Sequence, residues 1–274
     1  PVMGLSNQWD LWTGKDRQAV LAIRGTTKEM ISWIANFYAA MVPASGAIQP
    51  DYDFVFNYHL ADDPKAAVHA GWLVATAFLA RDMMPKIDSL YAAGVKNLII
   101  MGHSQGGAIA FLLTSHLYHL RETGRIPADV IFKTYCSAAP KPGNLYYAYE
   151  YENMTREGWG FNVVNASDWV PEMPISIQTI HDYNDVNPFI YAGSAIKKHK
   201  PWWQRLLLRK IYKKLSKPPM KSQQEYQKVL GDKLYEQIKV QLPGFVKPEY
   251  VESSNFVRTG KTIVLIPDRE YRSR

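Results

Sequence analysis

Gly102-His103-Ser104-Gln105-Gly106-Gly107 is the stretch of this chain whose residue types and spacing could do chemistry. A serine with glycines two residues to either side, after an apolar run and before a helix-like one, is the pattern of a nucleophile elbow. Such a turn holds the serine in a strained backbone conformation at a strand end, and a Cβ on either flanking glycine would clash. The helix that follows would aim its first N–H groups at the same point, where they could bind an oxyanion. The chemistry is acyl transfer through Ser104, which also requires a histidine base within reach and a carboxylate behind it. The competing reading of these residues is a glycine-rich turn that carries a surface serine.

The elements around the motif must place it. Residues 97–101 read as a buried strand entering it, and 108–120 as the helix leaving it. Residues 18–24 read as a buried strand, 130–136, 161–165 and 261–267 as strands, and 53–60 as an alternating one. Met30, Trp33, Ile34, Phe37, Tyr38 and Met41 have helical spacing over 27–41, and 66–92 reads as a long helix interrupted near Pro85. Strands alternating with helices imply an α/β fold, with a mostly parallel central sheet flanked by helices. A single domain over 1–274 is expected. Residues 190–250 break its rhythm and read as a helical, partly basic insertion before the last strand. One helix of the insertion is basic and one, over 222–241, is of mixed charge.

At 274 residues with 47% apolar and 21% charged residues, the chain can build a substantial core, which excludes disordered and low-complexity classes. The single cysteine, Cys136, excludes an internal disulfide and a cysteine-based zinc site, and no apolar run approaches the length of a membrane-spanning helix. The chain opens Pro1-Val2-Met3 without a signal peptide or initiator methionine, which points to a trimmed or partial chain. Residues 196–221 carry eight Lys, two Arg and no acid, so +10 of charge sits there and the rest of the net +7 is −3. Positive charge confined to one segment, with no zinc-finger, helix-turn-helix or aromatic RNA-binding signature, argues against nucleic acid as a partner. Within that segment Trp202, Trp203, Leu206, Leu207, Ile211 and Leu215 interleave with Arg205, Arg209, Lys210, Lys213 and Lys214. Residues 201–215 therefore read either as a peripheral membrane-surface helix or as a satellite helix packing its apolar face on the domain.

Several blocks taken in order resemble the class 3 lipases, the group of the fungal triacylglycerol lipases. They are Ile23-Arg24-Gly25-Thr26-Thr27, Ser32-Trp33-Ile34-Ala35-Asn36, Val68-His69-Ala70-Gly71-Trp72-Leu73, the Ser104 motif, 134–144 (TYCSAAPKPGN) and Val164-Asn165-Ala166-Ser167-Asp168-Trp169-Val170-Pro171. The resemblance covers roughly residues 20–174. It implies an α/β-hydrolase-like fold and a carboxylic ester hydrolase acting on a lipid or small ester, with no metal or cofactor. It implies Ser104 as nucleophile and Asp168 as the carboxylate that orients the base. The oxyanion hole would be Thr26, through its N–H and hydroxyl, and the backbone N–H of Gln105. The segment 28–41 stands in the place of the family's lid and would expose Trp33, Ile34, Phe37 and Met41 on opening. Two local alternatives stay open, a plain loop or N-cap role for Asp168 and an ordinary core helix for 28–41. The block 134–144 is looser than the family pattern, and Gln105 stands where many members have Leu.

The base is the piece the sequence does not place. His103 adjoins Ser104 but points elsewhere, His116 and His119 lie turns down the following helix, and His59 and His69 precede the nucleophile. The family's base follows the last strand, and no histidine lies between 261 and Arg274. His181, His199 or a histidine beyond Arg274 in a longer chain would supply it. Without one the chain would be a non-catalytic acyl- or partner-binding module on the same fold.

Overall fold

The structure is a computed structural model, and it describes residues 2–187, 191–198 and 201–268. In chain order its first half runs β1 (Trp9–Thr13), β2 (Gln18–Ile23), α1 (Met30–Phe37), β3 (Met41–Pro43), β4 (Ser45–Asp51), β5 (Phe54–His59), β6 (Ala67–His69), α2 (Ala70–Ala92), β7 (Asn97–His103) and α3 (Gln105–Glu122). The second half runs β8 (Ile131–Ser137), α4 (Leu145–Met154), β9 (Gly160–Asn165), α5 (Ala192–Lys198), α6 (Trp202–Gln227), α7 (Leu234–Gln241) and β10 (Lys261–Leu265). The central sheet has the order β1-β2-β7-β8-β9-β10, with β1 an antiparallel edge and every other neighbouring pair parallel. That is the α/β arrangement the sequence implies. Its parallel strands all end at one edge of the sheet, the edge at which open α/β sheets place their ligands.

Residue type explains the layers. β7 and β8 alternate buried and partly exposed residues, and Leu98, Ile100, Phe132 and Cys136 turn into the core. α3 is buried over its first fifteen residues, Gln105 to His119, as befits a helix enclosed between the sheet and α2. Small residues at Gly106, Gly107, Ala108 and Ala110 allow that close approach, while Ile109, Phe111, Leu112 and Leu113 fill the space between layers. β4 and β5 form a separate two-stranded ribbon, and β3 with β6 a second.

Several sequence expectations need correction. The segment 27–41 is not one helix: α1 ends at Phe37, and Met41 is buried in β3, opposite His69 of β6. Tyr38 breaks the helical run because its carbonyl accepts from Gly71 N and its hydroxyl meets that of Tyr250 at 2.9 Å. The segment 66–92 opens with a strand, and α2 begins at Ala70, capped by His69, whose Nδ1 accepts from Trp72 N at 3.3 Å. Pro85 does not interrupt α2. It stands on the solvent side, as does Arg81, whose carbonyl loses its usual donor, so water can replace the missing bond. The basic and mixed-charge helices of 190–250 are largely one helix, α6, which runs through Pro218 and Pro219 into a π-turn over Lys228–Lys233 before α7. The carbonyls those prolines leave without donors, of Lys214 and Leu215, also belong to exposed residues. β1, β3, β4 and α4 are elements the hydrophobic pattern did not announce.

Candidate functional site

At the end of β7, Ser104 takes φ 56° and ψ −128°, a left-handed conformation unusual for any residue but glycine. Its N–H donates to Ser137 O at 2.9 Å, while its carbonyl accepts from Gly107 N and Ala108 N at the head of α3. The flanking glycines follow from backbone approach. A Cβ on Gly102 would lie 2.2 Å from Gly106 O, one on Gly106 would lie 2.3 Å from Ile23 O, and one on Gly25 2.8 Å from His103 O. The register of β2 on β7, with Ile23 opposite Gly102, brings the loop after β2 alongside this turn.

That loop carries Thr26, which lines one pocket together with Ser104 and Gln105. Thr26 Oγ1 accepts from Asn36 Nδ2 at 2.9 Å. A hydroxyl used as an acceptor keeps its own proton to donate. Asn36 is fixed in turn, since its Oδ1 accepts from Trp72 Nε1 at 3.0 Å and its carbonyl lies 3.0 Å from His69 Nε2. Because His69 Nδ1 accepts from Trp72 N, the ring proton sits on Nε2 and donates to Asn36 O. Burial drives the pKa of His69 down to about 3, so it stays neutral and serves as a scaffold. This chain from His69 through Asn36 to Thr26 was not visible in the sequence, although its members lie in blocks that carried the resemblance.

Gln105, first residue of α3, offers one of the four helix N–H groups that have no partner within the helix. Its side chain, 2% exposed, turns away and clasps α1. Gln105 Oε1 accepts from Ser32 Oγ at 3.2 Å, and Gln105 Nε2 donates to Ser32 O at 3.1 Å. Ser32 Oγ also accepts from Thr27 N at 3.1 Å. A leucine at 105 could make none of these bonds. α1 is thus tied at Ser32 to α3, and at Asn36 to Thr26 and Trp72. Trp33 and Phe37, 43% and 49% exposed, form part of the pocket wall, with ring centroids 6.3 Å apart.

The pocket holds about 200 Å³ and is overwhelmingly apolar. Trp33, Phe37 and Trp72 meet Val170, Met173 and Ile175 there, and Tyr226 and Leu230 close it from the end of α6 and the π-turn that follows. The Tyr226 hydroxyl is buried without a hydrogen-bond partner among the described residues, and burial raises its pKa well above the phenol range. Beside Ser104 the pocket offers apolar room for a hydrocarbon chain.

Asp168 lies just past β9, in a turn where its N–H donates to Asn165 O and its Oδ1 accepts from Val170 N at 2.9 Å. Its neighbours Trp169 and Val170 line the Ser104 pocket, but Asp168 itself does not. β10 pairs with β9 so that Leu265 O accepts from Ala166 N, which sets the end of β10 beside the start of this turn. No histidine lines the pocket among the described residues. His103 Nδ1 meets Ser137 Oγ at 3.0 Å, and His116 is buried beside Phe56. His181 sits exposed in the Ile180–Asp182 turn, its N–H held by Thr179 Oγ1, and is not brought to Ser104. His199 lies outside the described residues.

No curated protein sequence matches the chain. Solved structures that are similar in part include three fungal lipases. The lipase of Rhizomucor miehei in its propeptide complex is 20% identical, with a TM-score of 0.45 over 63% of this chain and 49% of that one. The lipase of Rhizopus microsporus var. chinensis is 25% identical, with a TM-score of 0.44 over 62% and 52%. The Lip2 lipase of Yarrowia lipolytica is 18% identical, with a TM-score of 0.46 over 62% and 58%. The chain thus spans about half the length of these fungal lipases. The family described as Lipase (class 3) matches residues 20–177, more than half of the 274 residues, and the chain belongs to that family.

Proposed function

We propose that the protein is a serine ester hydrolase that cleaves acyl esters, with lipids as the substrate class. The observation that carries this reading is Ser104 itself, held at positive φ between glycines at the head of α3, with Thr26 and Gln105 in the same apolar pocket. Ser104 Oγ attacks the ester carbonyl and a histidine takes its proton. The N–H groups of Thr26 and Gln105, with the Thr26 hydroxyl, hold the tetrahedral oxyanion. Collapse expels the alcohol, which receives the proton from the histidine, and water then releases the acyl group from Ser104. No metal or cofactor enters these steps. Asp168 orients the base and stabilises its cation. The chain order Ser, Asp, His leaves His181, His199 or a histidine following Arg274 for that role.

The apolar pocket favours an acyl chain over a small polar ester. Lipid substrates reside in membranes or micelles, and contact of 201–215 with such a surface belongs to this proposal. The exposure of Trp202, Trp203, Leu207, Ile211 and Leu215 supports it over packing of that face on the domain. A second reading, acyl binding without hydrolysis, draws on the lack of a histidine among the described pocket residues. Hydrolysis of p-nitrophenyl esters of graded chain length, measured beside Ser104→Ala, decides between them. Turnover that rises with chain length and vanishes in Ser104→Ala is expected. Saturable fatty-acid binding with no turnover would establish the second reading instead.

A further inference from the structure

Outside the Ser104 pocket, α5 and α6 enclose a groove of about 690 Å³. Its charged lining is of one sign: Lys197 from α5, and Arg205, Arg209, Lys213 and Lys217 from α6. The four α6 residues recur at four-residue intervals and so form one ridge along the helix. None of the five has an ion-pair partner among the described residues. The floor is apolar and half-buried, with Ile180, Ile196 and Met220. Beside this ridge runs a second one at the same spacing, Trp203, Leu207, Ile211 and Leu215, which are 54%, 52%, 45% and 71% exposed. A soluble satellite helix would bury that second ridge, whereas α6 presents it to solvent next to a row of unneutralised cations.

We infer that the α5–α6 groove seats the headgroup of an anionic phospholipid, while the Trp203–Leu215 ridge enters the acyl layer around it. The inference rests on the surface contact proposed above and deepens it by naming the lipid class and the residues that read it. Charge complementarity selects the occupant: five cations without an acid fit a phosphodiester, and an apolar ridge alongside fits the chains that a free anion lacks. α6 then connects this seat to the reaction pocket, because the same continuous helix ends in Tyr226, with Leu230 just beyond it, and both wall the space above Ser104.

The test uses the 274-residue chain with Ser104→Ala throughout, so its outcome does not depend on whether the chain hydrolyses esters. Partition onto vesicles of phosphatidylcholine alone is compared with vesicles holding about 30 mol% phosphatidylglycerol. Titration with monomeric dihexanoylphosphatidylglycerol and with inorganic phosphate reads the groove without a bilayer. The anionic vesicles are expected to bind at least ~10²-fold more tightly than the neutral ones. Arg205→Gln, Arg209→Gln, Lys213→Gln and Lys217→Gln together should weaken that binding about 10³-fold, from roughly one tenfold step or less per cation, and abolish saturation by the short-chain lipid. Leu207→Ser, Ile211→Ser and Leu215→Ser together should lose the vesicles yet keep the short-chain lipid. Equal binding to both vesicle types would overturn the inference, as would unchanged binding by the four-fold Gln variant. Inorganic phosphate saturating the groove as tightly as the short-chain lipid would mean a free-anion site. A dimer that buries this ridge and excludes vesicles would mean a second copy of the chain is the occupant.

Discussion

Gln105→Leu is the substitution that puts most of the site at stake while changing little volume. In this structure it removes two hydrogen bonds, one from Ser32 Oγ to Gln105 Oε1 and one from Gln105 Nε2 to Ser32 O. Each neutral bond is worth about 1 kcal/mol net, and a buried donor left without an acceptor adds ~1–3 kcal/mol. Ser32 is 1% exposed, so the hydroxyl proton it gave to Gln105 has no route to water, while its carbonyl keeps its place in the α1 ladder. The expected loss of stability is therefore about 3–5 kcal/mol by urea unfolding. Ser32→Ala breaks the hydroxyl's bonds to Gln105 and to Thr27 N but keeps the carbonyl's, so the double-mutant cycle should isolate a coupling near 1 kcal/mol for the Gln105 bond. Ser32 Oγ also holds Thr27 N, next to the proposed oxyanion residue. Displacement of that donor should slow acylation of Ser104 about 10²-fold. A Gln105→Leu protein with parental stability and zero coupling to Ser32 would refute the clasp.

Three further outcomes follow from the same geometry. Gly102→Ala, which would set a Cβ 2.2 Å from Gly106 O, should prevent folding or cost more than ~4 kcal/mol, read by circular dichroism and urea titration. Tyr226→Phe should stabilise the protein by about 1 kcal/mol in thermal unfolding, because it deletes a buried hydroxyl that has no partner among the described residues. Burial holds His69 and His116 at pKa values of about 3 and about 4 against 6.5 for the free side chain, so the unfolded chain binds more protons between those limits. Stability should be flat above pH 6.5 and fall as the pH drops towards 4, by about 5 kcal/mol at pH 4.5 for the two together. His69→Gln with His116→Gln should flatten that slope in unfolding measured across pH.

The parts of the fold legible in the sequence are those where one physical demand dominates. Buried parallel strands are near-continuous apolar runs, so β2, β7, β8 and β9 stand out, and the close backbone approaches at 102 and 106 can be met only by glycine. The misread elements are those decided by distant partners. Met41 and Tyr38 continue a helical spacing, yet β6, Gly71 and Tyr250 draw them out of it, and those contacts span up to 212 positions along the chain. Pro85 reads as a break, and Pro218 and Pro219 stand inside α6, but all three sit where solvent can serve the carbonyls they leave free. For the site, Ser104, Thr26 and Gln105 line one pocket, while Asp168 stands one residue outside its lining. The Gln105–Ser32 clasp carried a signal, a polar residue where relatives have leucine, whose meaning needed α1 in place. The pocket wall from Tyr226 and Leu230 carried none, because nothing local ties a mixed-charge helical segment to a serine more than a hundred residues earlier.

The central claim is that Ser104 is an activated nucleophile served by Asp168, and covalent labelling with a fluorophosphonate tests it most directly. Mass spectrometry of the labelled protein should place the adduct on Ser104, and Ser104→Ala should give none. Asp168→Asn, which leaves the turn but removes the charge behind the base, should slow labelling by about 10³-fold or more. A folded protein that takes no adduct, takes it on another serine, or labels equally fast with Asp168→Asn would contradict the account.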